Sequence, residues 1–311
     1  MGKYILTLTP NPSIDKTAVV ERYLIGRIHR PQRLVVLPGG KGVNVARSIK
    51  ILGGPVCAGM LLGGHAGKWI LEQLEKENIP CRAAWSDGET RSCLSVIDGS
   101  VGTITELYEA GTQINGKTWN QFEKLAEELL PHASFVTMSG SLPIGAPGDA
   151  YARLVRLANK HRVPAFIDAS GKFLREAIAA EPFMVKINQQ EAGELLGLDL
   201  QTTKGAISAV KKIRDSCEIA IITLGRDGAV MAAKDEVWHL QPPKITSVSS
   251  VGSGDALLGA FCVGLERGDS VIDALQLGIA AGAANALEIG PGLFKKEIVE
   301  EFIKKNELVR K

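Results

Sequence analysis

Val251-Gly252-Ser253-Gly254-Asp255 runs directly into Ala256-Leu257-Leu258-Gly259-Ala260-Phe261. Two glycines flank a serine, so the backbone can turn tightly and leave its N–H groups uncovered. The small-residue helix pattern that follows puts those N–H groups at a helix N-terminus, where an anion binds readily. Asp255 stands in the first turn of the same helix. A nest of N–H groups beside a carboxylate suits phosphoryl transfer from a nucleotide to an alcohol. The same residues also read as a plain capped helix start, because Asp and Gly-Ser-Gly are common at such turns. The choice depends on the rest of the chain.

Outward from this stretch, strands and helices alternate. Helices are expected over 119–130, 150–161, 173–179 and 205–215, with strands over 135–138, 165–167, 183–185 and 219–224 between them. A hairpin through 229–233 and 237–240 precedes helices over 256–265 and 271–287 and one from 295. At the other end, a strand over 4–9 is stopped by Pro10-Asn11-Pro12. A helix opened by Gly39-Gly40-Lys41-Gly42 and closed by Gly53-Gly54, a strand over 56–62 and a helix over 69–74 follow. Such alternation implies an α/β class: a mostly parallel central sheet with helices on both faces. The β-like stretches 17–36 and 91–109 do not fit it. They read as a small β-sheet lid, made of two excursions at about 15–37 and 89–112 from a single domain spanning 1–311.

In open α/β sheets ligands sit beyond the carboxyl ends of the strands. Polar clusters here fall at those ends: Asn11 to Asp15, Ser139-Gly140-Ser141, Asp168, Lys186 to Glu191, Thr223 to Gly228, and Gly252 to Asp255. The 311 residues, 45% hydrophobic with 34 glycines, allow a large core with many tight turns. A net charge of only +2 and an aromatic content of 5% argue against nucleic acid and an anionic membrane surface as partners. The cysteines, at 57, 81, 93, 217 and 262, are odd in number and lack metal or redox spacing, so free thiols in a reducing compartment are expected. No signal-peptide pattern and no membrane-length apolar run are seen, which points to the cytoplasm.

Gly39-Gly40-Lys41-Gly42-Val43-Asn44 lacks the spacing of a Walker A loop and has Val43 where Ser or Thr would hold a metal. It suits a second anion or sugar hydroxyls, or a plain strand-to-helix turn. Asp15 suits two sugar hydroxyls, or a turn. Arg91 has a fork that matches phosphate, or is a solvated strand charge; Arg27 and His29 are weaker candidates of the same kind. Asn188 and Glu191 suit the outer shell of a hydrated Mg²⁺, or an N-cap and its partner.

Taken together, these motifs resemble the PfkB/ribokinase family of carbohydrate kinases over essentially the whole chain. The likeness rests on Gly39 to Ala46, Ser139-Gly140-Ser141-Leu142-Pro143, Lys186 with Asn188 and Glu191, Thr223 to Gly228, and Val251 to Asp255, in that order. Thr9 to Asp15 and Thr90-Arg91 are similar to its phosphosugar branch, which holds 1-phosphofructokinase, tagatose-6-phosphate kinase and the minor 6-phosphofructokinase. Cys93, two residues after Arg91, is as in tagatose-6-phosphate kinases. The resemblance implies a ribokinase-like three-layer fold, ATP as donor, Mg²⁺, and a homodimer joined through the lid. It makes Asp255 the base and Gly252, Ser253 and Gly254 the anion hole. Asp15, Arg27, Gly39, Gly40, Lys41, Asn44, Arg91 and Ser139 become the phosphosugar contacts. Lys186, Asn188, Thr223, Gly225, Gly228 and Asn285 line the nucleotide site, with Glu191 holding Mg²⁺ through water. Ser249 and Val251 fall where some members bind a monovalent cation such as K⁺. The expected activity is ATP-dependent phosphorylation of a ketohexose phosphate: tagatose 6-phosphate, fructose 1-phosphate or fructose 6-phosphate. A kinase of an unphosphorylated sugar or nucleoside needs no cluster such as Arg91, Lys41 and Arg27. A non-catalytic sugar-phosphate-binding protein needs neither Asp255 nor Glu191.

Overall fold

The structure is a computed structural model that describes residues 2–305 and the backbone of 307–310. A ten-stranded sheet forms its middle layer. From one edge it runs through β14 (Glu307–Arg310), β13 (Glu236–Gln241), β12 (Ala229–Ala233), β11 (Ile219–Thr223) and β10 (Met184–Asn188). It continues through β9 (Ala165–Asp168), β8 (Ala133–Ser139), β1 (Tyr4–Thr9), β4 (Val56–Gly63) and β5 (Cys81–Ser86). Every pairing from β5 to β11 is parallel, and β11 to β14 pair antiparallel. β4 is buried at all of its positions, as expected of a strand covered on both faces.

Two apolar layers sandwich this sheet. On one face lie α3 (Gly116–Leu129), α4 (Ala150–Lys160), α5 (Gly171–Ile178), α6 (Gln189–Leu196) and α7 (Thr203–Arg214), around Trp119, Phe122 and Tyr151. On the other lie α1 (Lys41–Ile51), α2 (Gly64–Lys76), α8 (Ser253–Arg267), α9 (Val271–Asn285) and α10 (Lys296–Ile303), around Ile49, Phe261 and Val299. α8 is buried from Asp255 to Gly264, and Gly259 explains how α1 packs against it. A Cβ on Gly259 would lie 2.8 Å from the Val45 carbonyl oxygen, so glycine is what lets α1 approach this closely. That packing brings the N-termini of α1 and α8 side by side.

The alternation and the two-faced cover follow the sequence reading. The edge strand β5 does not, because its six residues carry too little periodicity to separate from the preceding helix. No helix among the described residues is long and apolar enough to cross a membrane.

The two excursions form a separate four-stranded sheet, in the order β3 (Arg33–Gly39), β2 (Ser13–Val20), β6 (Arg91–Asp98) and β7 (Ile104–Tyr108). β2 starts two residues before the expected boundary and β3 ends two residues after it. Its central pair, β2 with β6, is parallel, so the excursions are knit together along eight residue pairs. The register sets Asp15, Cys93 and Tyr108 in one row across this sheet, with Lys16, Leu94 and Leu107 in the next row. Because side chains alternate faces along a strand, the first row faces the cleft and the second faces away from it.

Candidate active site

The carboxyl ends of β1, β8, β9, β10 and β11 open on one cleft of about 2060 Å³, bounded by the N-termini of α1 and α8 and by the small sheet. Asp255 lies at its floor. Gly252 caps α8 with φ 81° and ψ −3°, a left-handed conformation in which a Cβ would stand 2.6 Å from Pro291 Cα. Glycine alone fits there, and the turn it permits sets Gly252, Ser253 and Gly254 in the cleft lining. Asp255 is buried, and Asn44 Nδ2 donates to its Oδ2 at 2.9 Å. Burial, and then the negative charge of Asp168, push the Asp255 carboxyl up to about 6; Lys186, Lys41 and the Asn44 amide pull the other way without prevailing.

Behind Asp255 sits a three-membered charge cluster. Asp168, fully buried at the end of β9, accepts from Lys41 Nζ at 2.7 Å through one oxygen and from Lys186 Nζ at 2.5 Å through the other. Burial alone would raise the Asp168 carboxyl, but the charges of Lys186 and Lys41 outweigh it and hold the group down to about 2. Burial works against the Lys41 charge in turn, and Asp168, Glu191 and Asp255 more than offset it, so its ammonium is held above the ordinary lysine range. A Cβ on Gly254 would meet Lys186 Nζ at 2.9 Å, which explains a second glycine in this helix start.

On the side of the small sheet, Ser13 Oγ donates to Asp15 Oδ1 at 2.6 Å. Burial raises the Asp15 carboxyl, while Ser13, the Gly40 N–H, Arg47 and Arg91 act against that rise. Arg91 donates through Nη1 to the Glu109 carbonyl at 3.0 Å and through Nη2 to the Asn11 carbonyl at 3.1 Å, while its Nε is buried without a partner. Its guanidinium therefore keeps donors for a ligand. Gly40, Lys41, Asn44 and Ser139 line the same cleft.

At the far end, Asn188 and Glu191 cap α6 reciprocally. Asn188 Oδ1 accepts from the Glu191 N–H, and Glu191 Oε2 accepts from the Asn188 N–H, each at 2.8 Å. The structural reading of this pair therefore holds, and it leaves Glu191 Oε1 free to face Lys41 Nζ at 3.8 Å. Thr223, Gly225 and Gly228 line this end. Gly228, at φ 83°, has room for no side chain, because a Cβ would stand 1.9 Å from the Leu240 carbonyl oxygen.

Four of the expected site residues are not among those lining the cleft. Arg27 sits exposed in the turn between β2 and β3, away from the cleft lining. Gly39 makes room rather than contact: a Cβ there would overlap the Asp15 carboxylate at 2.0 Å. Asn285 is fully buried and braces the anion loop, donating to the Val251 carbonyl at 2.9 Å and to Ser253 Oγ at 3.2 Å. Ser249 is buried below the cleft, where its Oγ accepts from the Val251 N–H at 3.3 Å. For Gly39, Asn285 and Ser249, a glycine or a short polar residue serves the backbone, which spacing along the chain does not reveal.

Other residues gain roles that sequence reasoning left unassigned. Asp168 is the hub of the charge cluster. Its signal was its place directly after a strand, in line with Ser139, Asn188 and Thr223. Asn11 joins β1, the β7 return and the loop after β8 by donating to Ser141 Oγ at 3.1 Å and to the Leu142 and Ala110 carbonyls at 3.4 Å. Cys93 stands beside Asp15 in the cleft-facing row, with Tyr108 on the next strand beyond it.

Comparison with known proteins agrees with this geometry. The pattern of the pfkB family carbohydrate kinases matches residues 9–297. A tagatose-6-phosphate kinase of Staphylococcus epidermidis is 32% identical, covering 98% of this chain and 99% of its own length. A 1-phosphofructokinase of Bacillus subtilis is 29% identical, covering 96% and 98%. The crystal structure of phosphofructokinase-2 from Escherichia coli in complex with potassium superimposes with a TM-score of 0.91 at 29% identity, over 97% of this chain and 99% of that one. With the ribokinase-like α/β/α fold, the glycine-capped Asp255 helix and the family pattern all in one chain, the protein belongs to the pfkB family of carbohydrate kinases.

Proposed function

We propose that this enzyme transfers the terminal phosphoryl group of ATP to the free primary hydroxyl of a ketohexose phosphate. The observation that carries the reading is the meeting of a buried carboxylate, Asp255, with a helix N-terminus and two cations, Lys41 and Arg91, in one cleft. A neutral sugar gains nothing from the spare donors of Arg91 at the end of the cleft remote from the nucleotide side. The named relatives act, by their names, on tagatose 6-phosphate and on a fructose phosphate. A panel of sugars and sugar phosphates with Mg-ATP, followed by ADP release, tests it. Turnover confined to unphosphorylated sugars overturns the phosphosugar assignment, and no turnover at all leaves a binding protein.

In this reading the hydroxyl oxygen attacks the terminal phosphorus, the bond from that phosphorus to the bridging oxygen of ADP breaks, and the hydroxyl proton passes to Asp255. A carboxyl raised to about 6 is a better acceptor than a free aspartate and is still ionised at neutral pH. The Asn44 amide keeps its Oδ2 fixed by donating to it. The N–H groups of Gly252 and Gly254 are preorganised for charge on the moving phosphoryl group, while that of Ser253 already donates to the Ser250 carbonyl at 3.2 Å. Lys41 and Lys186 are locked by Asp168, so they need little reorganisation as charge develops. Asp15, with Ser13 fixing one of its oxygens, is placed to accept from sugar hydroxyls. The small sheet acts as a lid that excludes water, the competing acceptor.

The donor set fits the expected ions. Among the described residues no cluster of three or more His, Cys, Asp or Glu could hold a metal by itself. Mg²⁺ would keep most of its waters there, and Glu191, whose Oε1 is not used in the α6 cap, would hold it through water. When bound, it would neutralise charge on the phosphates. For K⁺, the Val251 carbonyl and Ser249 Oγ are oxygens of the right kind, and the buried Asn285 Oδ1 beside them has no partner.

Arg91→Ala is expected to raise KM for the phosphosugar about tenfold or more, the worth of a charged hydrogen bond, with KM for ATP nearly unchanged. Steady-state kinetics with each substrate varied in turn check this. Equal damage to both would make Arg91 a structural residue.

Self-association through the lid belongs to the same reading. Leu34, Val36 and Leu107 lie on the face away from Asp15, and Leu34 and Leu107 are more than half exposed. At the adjoining turn Ile25 is 96% exposed and Ile28 is 87% exposed, an apolar surface that a second copy would cover. Sedimentation is expected to give a dimer for the parent and a monomer for Leu34→Asp. A monomeric parent would end this part of the reading.

A further inference from the structure

Arg47 is almost wholly buried on α1, and each of its five N–H groups has an acceptor. Its Nε and Nη2 grip the two carboxylate oxygens of Glu77, at the C-terminal end of α2, at 2.7 and 3.1 Å. Nη2 also donates to the Pro38 carbonyl at 2.7 Å. Nη1 donates to the Pro291 carbonyl at 3.3 Å and to Asn44 Oδ1 at 3.4 Å. Neither the expected site residues nor the reaction steps above include it.

We propose that Arg47 is a positioning residue for phosphoryl transfer: it fixes the orientation of the Asn44 amide that holds Asp255, and it ties the root of the lid and the loop behind the anion hole to the same turn of α1. The inference rests on the assignment of Asp255 as proton acceptor.

Three observations support it. First, a guanidinium donates and never accepts. The amide atom turned toward Arg47 is therefore the oxygen, and the NH2 group is left to face Asp255 Oδ2. A flipped amide would set an oxygen against the carboxylate. Second, Pro291 is the residue against which Gly252 packs, with a Cβ on Gly252 falling 2.6 Å from Pro291 Cα, and the adjoining Gly292 packs on Asn44. Holding the Pro291 carbonyl thus steadies both neighbours of Asp255. Third, Pro38 precedes Gly39, the residue that gives the Asp15 carboxylate its space. One planar fork therefore connects the sugar side of the cleft with the base. A lysine keeps the charge but has a single nitrogen, which cannot reach four partners in as many directions.

Arg47→Lys separates charge from geometry. The charged groups that face Asp255 are Lys41 from α1, Asp168 from β9 and Lys186 from β10. None of them bonds Arg47, so the acid limb of the kcat–pH profile reports on Asp255 through Asn44. Losing a donor to the carboxylate favours its protonated form. In Arg47→Lys, kcat is expected to fall about tenfold, with KM for ATP within about twofold of the parent. The acid limb is expected to move up by about half a pH unit. Arg47→Met is expected to match it, because the fork and not the charge is what is lost. If kcat and the acid limb of Arg47→Lys stay at the parent values, whatever its melting temperature, Arg47 is only structural and the proposal is overturned. Should Arg47→Lys not fold, Glu77→Gln carries the test, with a smaller shift in the same direction expected and an unmoved limb counting against the proposal. Asp255→Asn in the same assays separates the two ideas: an inactive Asp255→Asn beside an unaffected Arg47→Lys overturns only the role of Arg47, whereas an active Asp255→Asn overturns the base.

Discussion

Asp255→Asn is expected to lower kcat by at least about 100-fold while ATP binding is kept, the usual size of a lost general base. The amide is nearly isosteric and the α8 cap belongs to Gly252, so the anion hole should survive. The same change is expected to stabilise the folded protein. The Asp255 carboxyl is raised to about 6, chiefly by burial and the neighbouring Asp168 charge, against an ordinary value of 3.8. Between those values the folded chain holds a proton that the unfolded chain has released, so stability falls as pH rises through this window. At pH 7 the native state carries that cost in full, and a neutral amide removes it, with a gain on the order of 2 kcal/mol. Urea unfolding and turnover on one preparation check both halves. Near-normal turnover would remove Asp255 from the chemistry. Turnover lost together with stability would point to damage to the fold. In the parent, kcat/KM is expected to fall as pH drops below about 6, as Asp255 becomes protonated.

Asp168→Asn is expected to have the opposite effect on stability. Removing the carboxylate leaves Lys186, almost without exposure, and the half-buried Lys41 without their shared counter-charge. Breaking a buried ion cluster on one side costs about 3 kcal/mol. The sign with pH also differs. The Asp168 carboxyl is held down to about 2, so its contribution is complete above the ordinary carboxylate value and is lost as pH falls through about 2. The gap between parent and variant should thus be full at pH 7 and smaller near pH 3, by urea unfolding at both. Activity should also drop, because Lys41 then has only Glu191, at 3.8 Å, to hold it toward the phosphates. A variant as stable as the parent at pH 7 would show that the lysines do not depend on Asp168.

Periodicity and glycine placement were enough to read the α/β alternation, the two excursions and the strand ends on which the site is built. The reason is local. Apolar runs of strand length, helical spacing and N-terminal glycines each act within a few residues, so they are legible in a single chain. The motif order then identified the family, since five short patterns in sequence are far more restrictive than one. The same locality explains why some expected residues do not line the cleft. Arg27 carries the right charge for a phosphate, but the β2–β3 turn holds it away from the cleft. Asn285 has the right polarity to meet a nucleotide, yet its amide is used on the Val251 carbonyl.

The sequence by itself determined the elements, their order, the helix-start nest and the carboxylate within it, because each follows from the conformational limits of neighbouring residues. Only the tertiary structure decided which distant side chains share a charge. Asp168 lies 127 residues from Lys41, and Asn44 lies 211 residues from Asp255. Neither separation leaves a trace in spacing, because both pairs are joined by the stacking of parallel strands and by the close packing of α1 on α8. Burial then does what no isolated residue can: it removes water, so that a neighbour's charge sets whether Asp168 is held ionised and Asp255 is raised toward neutrality.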